Sequence, residues 1–182
     1  MRPYQKMPFQ FSVHKMGRGG KLTPYQFLDL SGKDPRPAFA RDLLAACGDA
    51  GPIYVYNQSF EGGVLQELAK RLPRQAAALI RLRSRMVDLL PIAKKHYYHP
   101  SQNGSWSLKA VLPSIAPDLD YATLDGVHDG GMAMEAYREA IDPVTSPARK
   151  AAIERELRAY CERDTLALVR LWQFFTGRVP TA

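Results

Sequence analysis

The chain has 182 residues, 46% of them hydrophobic, which is enough for one domain with a real core. No apolar run approaches the roughly 20 residues of a membrane span. The opening residues Met1-Arg2-Pro3-Tyr4-Gln5-Lys6 lead into a polar–apolar alternation instead of a signal core. The expectation is therefore a soluble, unexported, cytoplasmic protein with no membrane partner. Cys47 and Cys161 are the only cysteines and neither sits in a C-x-x-C pair, which argues against a disulfide framework or a zinc site. A formal net charge of +7, from 25 Lys and Arg against 18 Asp and Glu, would attract a polyanion such as nucleic acid. The basic residues are scattered, however, and clusters such as Arg81-Leu82-Arg83-Ser84-Arg85 and Lys94-Lys95-His96 serve equally well as solvated faces.

In chain order, Phe9, Phe11 and Val13 alternate with Gln10, Ser12 and His14, the pattern of a half-buried strand. Gly17-Arg18-Gly19-Gly20 turns the chain, and Tyr25 to Leu30 returns as the second strand of a hairpin. After the loop Ser31–Pro35, a helix over Ala38–Cys47 follows Pro37. Ile53-Tyr54-Val55-Tyr56 is short, apolar and β-prone, as in a strand buried on both faces. Helices are predicted over Phe60–Leu72 and Gln75–Leu82, then an apolar segment from Met86 that leads to His96-Tyr97-Tyr98-His99-Pro100. Ser107 opens a short helix through Leu112, Pro113 to Gly131 reads as mostly loop, and Gly131–Ile141 is helical. Ser146 and Pro147 start a long last helix that ends before Gly177. With no repeat and no linker, residues 1–177 read as a single α/β domain, a mixed sheet covered by helices, with 178–182 as a tail.

The sharpest chemical signal lies on the last helix. Its apolar stripe runs Leu157, Cys161, Leu168, Leu171, Trp172, Phe175, and Asp164 lies on that stripe. An unpaired buried carboxylate costs several kcal/mol, so Asp164 needs a cation or strong donors. Tyr160, one turn earlier, shares its face; the pair is either a site or a structural Tyr–Asp contact. The second signal is Tyr56-Asn57-Gln58-Ser59-Phe60-Glu61, where a buried strand hands over to a helix. Strand ends of this kind carry sites in α/β proteins. The plain alternative makes Ser59 the N-cap, with Glu61 favouring the helix dipole.

Taken together, Tyr160-Cys161-Glu162-Arg163-Asp164 resembles the Tyr-x-x-x-Asp motif of the tyrosine-type (DEDDy) 3′–5′ exonucleases. Asn57-Gln58-Ser59-Phe60-Glu61 is similar to their Asn-x-x-Phe-Asp motif, with glutamate in place of aspartate. Asp88-Leu89-Leu90 and Ser107-Leu108-Lys109-Ala110-Val111-Leu112 resemble the elements between those motifs. Across nearly the whole chain, the pattern is closer still to a bacterial family, domain of unknown function 2779. Arg2-Pro3-Tyr4-Gln5, Tyr56-Asn57, His96-Tyr97-Tyr98-His99-Pro100, Gly104–Lys109, Leu124-Asp125-Gly126 and Tyr160-Cys161-x-x-Asp164-Thr165 carry that resemblance.

The resemblance implies an RNase H-like fold and phosphodiester hydrolysis with two Mg²⁺ or Mn²⁺ ions about 4 Å apart. Asp164 and Glu61 would be metal ligands and, with Tyr160 orienting the attacking water, the catalytic residues. Asn57, Phe60, His96, His99, Trp106 and Lys109 would contact the nucleic acid. His96 and His99 also suit a plain aromatic cluster with Tyr97 and Tyr98, and Trp106 suits packing as well as base stacking. Asp125, His128 and Asp129 form an acidic loop that would add a ligand or simply be solvated.

One motif departs from the pattern. These exonucleases carry Asp-x-Glu on their first strand, and no Asp-x-Glu occurs in this chain. The related family carries it upstream of Arg-Pro-Tyr-Gln, which here begins at Arg2. The expectation is thus an RNase H-like sheet whose first central strand is missing. Unpaired edges would remain on Phe9–His14 and Ile53–Tyr56. The chain alone would be inactive, completed by the remainder of a longer polypeptide or by a complementing chain. The rival expectation is a non-catalytic nucleic-acid-binding or scaffolding domain.

Overall fold

A computed structural model describes residues 7–119 and 121–178. The Arg2-Pro3-Tyr4-Gln5 segment and residues 179–182 of the tail lie outside the described residues.

The hairpin forms as the alternation requires. Strands β1 (Gln10–Met16) and β2 (Leu22–Leu28) pair antiparallel, with Phe11 opposite Phe27 and His14 opposite Pro24. Gly17 N–H donates to Lys21 C=O at 2.8 Å, and Asp29 N–H to Phe9 C=O at 2.9 Å. The odd residues of β1 therefore bond β2, and the even ones aim their backbone groups at the other edge. Pro24, with no N–H, falls at a position that needs none. The return strand begins three residues earlier than the sequence pattern suggests, because the ladder starts immediately after the glycine turn.

Helix α1 (Arg36–Cys47) carries Pro37 in its first turn and stops at Gly48, whose φ of +59° suits glycine. Strand β3 (Ile53–Val55) leads into α2 (Gln58–Arg71), then α3 (Ala76–Ser84), strand β4 (Met86–Asp88) and α4 (Leu89–His96). β3 and β4 are parallel, with Ile53 opposite Met86 and Val55 opposite Asp88. This is a right-sized crossover through two helices. After a 3-10 turn at Pro100–Gln102, α5 (Leu108–Ile115) starts at the Ser107 N-cap and runs past Pro113. The region expected as loop holds two more 3-10 turns, Pro117–Leu119 and Tyr121–Thr123. Asp129 caps α6 (Gly130–Ile141), and Ser146 caps α7 (Pro147–Phe175), the longest element.

The molecule is mixed α/β, but the sheet is not continuous. β1 pairs with β2, β3 with β4, and among the described residues no strand joins the two ladders. Both ladders nevertheless share the same covering layers. Phe11, Val13, Phe27, Ile53 and Met86 pack into one apolar cluster with Leu65 and Leu68 of α2 and Leu79 and Leu82 of α3. On the opposite side α7 runs beneath both. Leu157 joins Phe9 and α6, while Leu171 joins α5, Leu89 and Tyr54. Leu157, Ile153 and Leu171 are each 0% exposed, so α7 is the spine packed against both ladders.

α7 also covers the polar face of β1, which the alternation alone would leave to solvent. Gln10 Nε2 donates to Leu157 C=O at 2.6 Å, and Ser12 Oγ and His14 Nδ1 meet Thr165 Oγ1 at 2.9 and 2.8 Å. Each buried polar group thus finds a partner on the helix that buries it. No described helix is long and apolar enough to cross a membrane.

Candidate functional site

The carboxyl ends of β3 and β4 lie side by side, and each is followed by a helix. Asp88, the last residue of β4, serves both helices. Its Oδ1 accepts from the Asn57 and Leu90 N–H groups at 2.9 and 3.0 Å, and its Oδ2 from the Gln58 N–H at 2.9 Å. These amides are among those a helix start leaves unsatisfied. The cap of α2 therefore comes from across the sheet. The helix starts two residues before the predicted boundary, and Ser59 is not its N-cap: Ser59 Oγ donates instead to Asn57 Oδ1 at 2.5 Å. Asn57 adopts φ +74°, a conformation that asparagine tolerates better than most residues.

This start of α2 places Glu61 in its first turn. Glu61 Oε2 is buried and has no hydrogen-bond partner among the described residues. Burial pushes its carboxyl up to about 7, and the charges of Asp88 and Asp164 add to the shift. Glu61 and Asp164, from helices at opposite ends of the sequence, therefore share one electrostatic neighbourhood with Asp88.

Asp164 is half-buried on α7 and better supplied with donors. Tyr121 Oη donates to its Oδ1 at 2.6 Å. Tyr160 also hydrogen-bonds it, and the Lys109 ammonium favours its charge. Burial outweighs these effects and raises its carboxyl above the usual range. Both phenols are pushed well above their ordinary value, by burial first and by Asp164 next. Lys109 lies 5.4 Å from the Tyr121 ring and 5.6 Å from the Tyr160 ring, and its Nζ donates to His128 C=O. Cys161, beside this cluster, has its thiol raised to about 12 by burial, so it is an inert thiol.

Of the residues singled out in the sequence, Tyr160, Asp164, Glu61 and Lys109 are thus brought together. Asn57 and Trp106 line a neighbouring cavity of about 460 Å³ with Tyr56, Leu90 and Lys94. Tyr56 Oη donates to Trp106 C=O at 2.7 Å. Phe60, 54% exposed, lies on the outer side of α2. His96 is exposed at the end of α4, and His99 is occupied as a cap, its Nδ1 accepting from Ser101 N–H at 3.3 Å. In the acidic loop, Asp129 is the N-cap of α6, accepting from Met132 N–H at 2.9 Å. Tyr121 was not legible as a site residue, since it sits in an aperiodic loop and meets Asp164 only through the fold. Asp88 was visible as a motif residue, but its double cap was not.

A magnesium or manganese pair needs several oxygen donors. Glu61, with an orphaned oxygen, and Asp164 are suited to such a cation. Asp88, however, is spent on backbone amides, and Lys109 already offsets the charge of Asp164. Among the described residues no group of three or more His, Cys, Asp or Glu side chains is placed to hold a metal. The residues present do not fit a two-metal centre by themselves.

The family model of a domain of unknown function, DUF2779, matches residues 1–107. That is more than half of the chain, and the protein belongs to this family. No curated protein and no solved structure matches it.

Proposed function

We propose that this DUF2779 protein is a cytoplasmic, RNase H-like, 3′–5′ exonuclease-like domain that holds one side of a carboxylate site and is catalytically silent in this form. The observation that supports the reading is the electrostatic coupling of Glu61 to Asp164, together with a buried Glu61 oxygen that has no hydrogen-bond partner among the described residues. The interrupted sheet is in keeping with it. A further strand between β1 and β3, from a longer polypeptide or a complementing chain, would complete the layer and bring the missing donors. Bound Mg²⁺ or Mn²⁺ would then supply the activation of water and the stabilisation of the leaving oxygen. Within this chain, Tyr160 and Tyr121 hold Asp164, Asp88 sets the start of α2, and α2 sets Glu61.

The test is hydrolysis of labelled single-stranded DNA and RNA with Mg²⁺ or Mn²⁺. The present chain should leave both intact. A longer polypeptide with an Asp-x-Glu strand ahead of β1 should degrade one of them and lose at least ~100-fold in rate on Asp164→Asn. If that polypeptide leaves every nucleic acid intact, the exonuclease reading is wrong.

A second reading, a non-catalytic nucleic-acid-binding or scaffolding domain, is favoured by Lys109, which sits where a metal would compete for Asp164. It predicts binding that needs no metal, weakens steeply with salt and is unchanged by Asp164→Ala.

A further inference from the structure

A second cavity, of about 480 Å³, lies at the far end of the hairpin from the carboxylates. Its walls are Met16, the turn 17–20, and Trp172, Gln173 and Arg178 from the end of α7 and just beyond it. Trp172 is eight residues beyond Asp164, or about 12 Å along the helix at 1.5 Å per residue.

Three features of this cavity ask for a ligand. Gln173 Oε1 is buried with no hydrogen-bond partner among the described residues, an acceptor in want of a donor. Arg18 and Arg178 both line the cavity, no carboxylate does, and neither guanidinium is in an ion pair among the described residues. Arg178 lies 5.0 Å from the Trp172 ring centroid, which makes a flat cationic shelf. The turn adds backbone with little bulk, since Gly19 and Gly20 have φ of +86° and +85° and nothing stands within 4 Å of where a Cβ would be.

We propose that this cavity binds a purine nucleotide. The ring would lie on the Trp172–Arg178 shelf, a ring or exocyclic N–H would donate to Gln173 Oε1, and the phosphate would be held by Arg18 and Arg178. A free nucleotide and a nucleotide within a strand offer the same chemistry, and the experiment separates them.

Calorimetric titration of the chain with AMP, with an eight-residue oligodeoxyadenylate and with inorganic phosphate is the test. AMP should bind. Arg18→Ala and Arg178→Ala should each weaken binding about tenfold, and Trp172→Leu should abolish the preference for AMP over phosphate. Arg18 is on an exposed turn, so its variant should keep the parent's far-ultraviolet circular dichroism. An oligonucleotide bound tenfold more tightly than AMP assigns the site to a strand, and equal affinities assign it to the free nucleotide. The proposal is overturned if AMP does not bind, if phosphate binds as tightly as AMP, or if Lys94→Ala in the other cavity weakens binding while Arg18→Ala does not.

Discussion

Tyr121 Oη donates a 2.6 Å hydrogen bond to Asp164 Oδ1 across 43 residues of chain. It joins a 3-10 turn to the middle of the longest helix and is the strongest of the contacts that oppose the upward push of burial on this carboxyl. Tyr121→Phe removes one donor with little change in shape. It should cost about 1–2 kcal/mol at neutral pH. A raised carboxyl contributes stability that is fully present below its unfolded value and lost as pH rises through its folded value. Without Tyr121, Asp164 is raised further, so the loss should be larger at pH 8 than at pH 4. Equal denaturation midpoints for variant and parent at both pH values would show that the bond carries no stability.

Glu61 has the same sign. Its folded value, about 7, lies above the ordinary carboxyl value of 4.5, so it should erode stability as pH rises between those values. Glu61→Gln should flatten this decline and stabilise the protein at pH 8 by roughly 1–2 kcal/mol, a figure discounted for partial exposure. His14 works in the opposite direction. Burial holds it below 6.5, so its contribution is present above 6.5 and lost as pH falls through its lowered value. Chemical denaturation of variant and parent at each pH, compared as a difference, isolates what Glu61 contributes.

Asp88 caps two helices at once. Asp88→Asn keeps the shape but removes the charge and half of the acceptor capacity, and should cost about 1–2 kcal/mol. Hydrogen exchange should quicken at the Gln58 and Leu90 amides together. A change at only one of them would show that the two caps are independent.

Arg85 holds the α1–β3 connection by a fork of hydrogen bonds. Nε donates to Gly51 C=O at 2.8 Å, Nη1 to Gly48 C=O at 2.5 Å, and Nη2 to Ala50 C=O at 2.7 Å. Lysine retains the charge but cannot span these carbonyls. Arg85→Lys should therefore lower stability by about 2 kcal/mol, read as a fall in Tm. An unchanged Tm would mean that the loop is held by its own turns.

Much of the framework follows from local sequence. The helix starts at Ser107 and Ser146, the glycine turn of the hairpin and the apolar stripe of α7 are local rules, and residues a few positions apart carry all of their information. The same holds for the pairing of Tyr160 with Asp164, one helical turn apart. Chemistry that depends on residues far apart in sequence is a different matter. Ser59 looks like an N-cap because a serine before an acidic helix start usually is one. The cap instead comes from Asp88, 30 residues away from Gln58, and no local pattern signals it.

Sequence by itself therefore determined the mixed α/β class and the family, and it singled out Glu61, Tyr160 and Asp164 as candidates. Tertiary structure alone decided that Glu61 and Asp164 share a field and that Tyr121 and Lys109 complete their surroundings. The reason is physical. Periodicity records which face of an element is buried, whereas electrostatic coupling and strand pairing depend on distances through space, and those exist only once α7 has packed beneath both ladders.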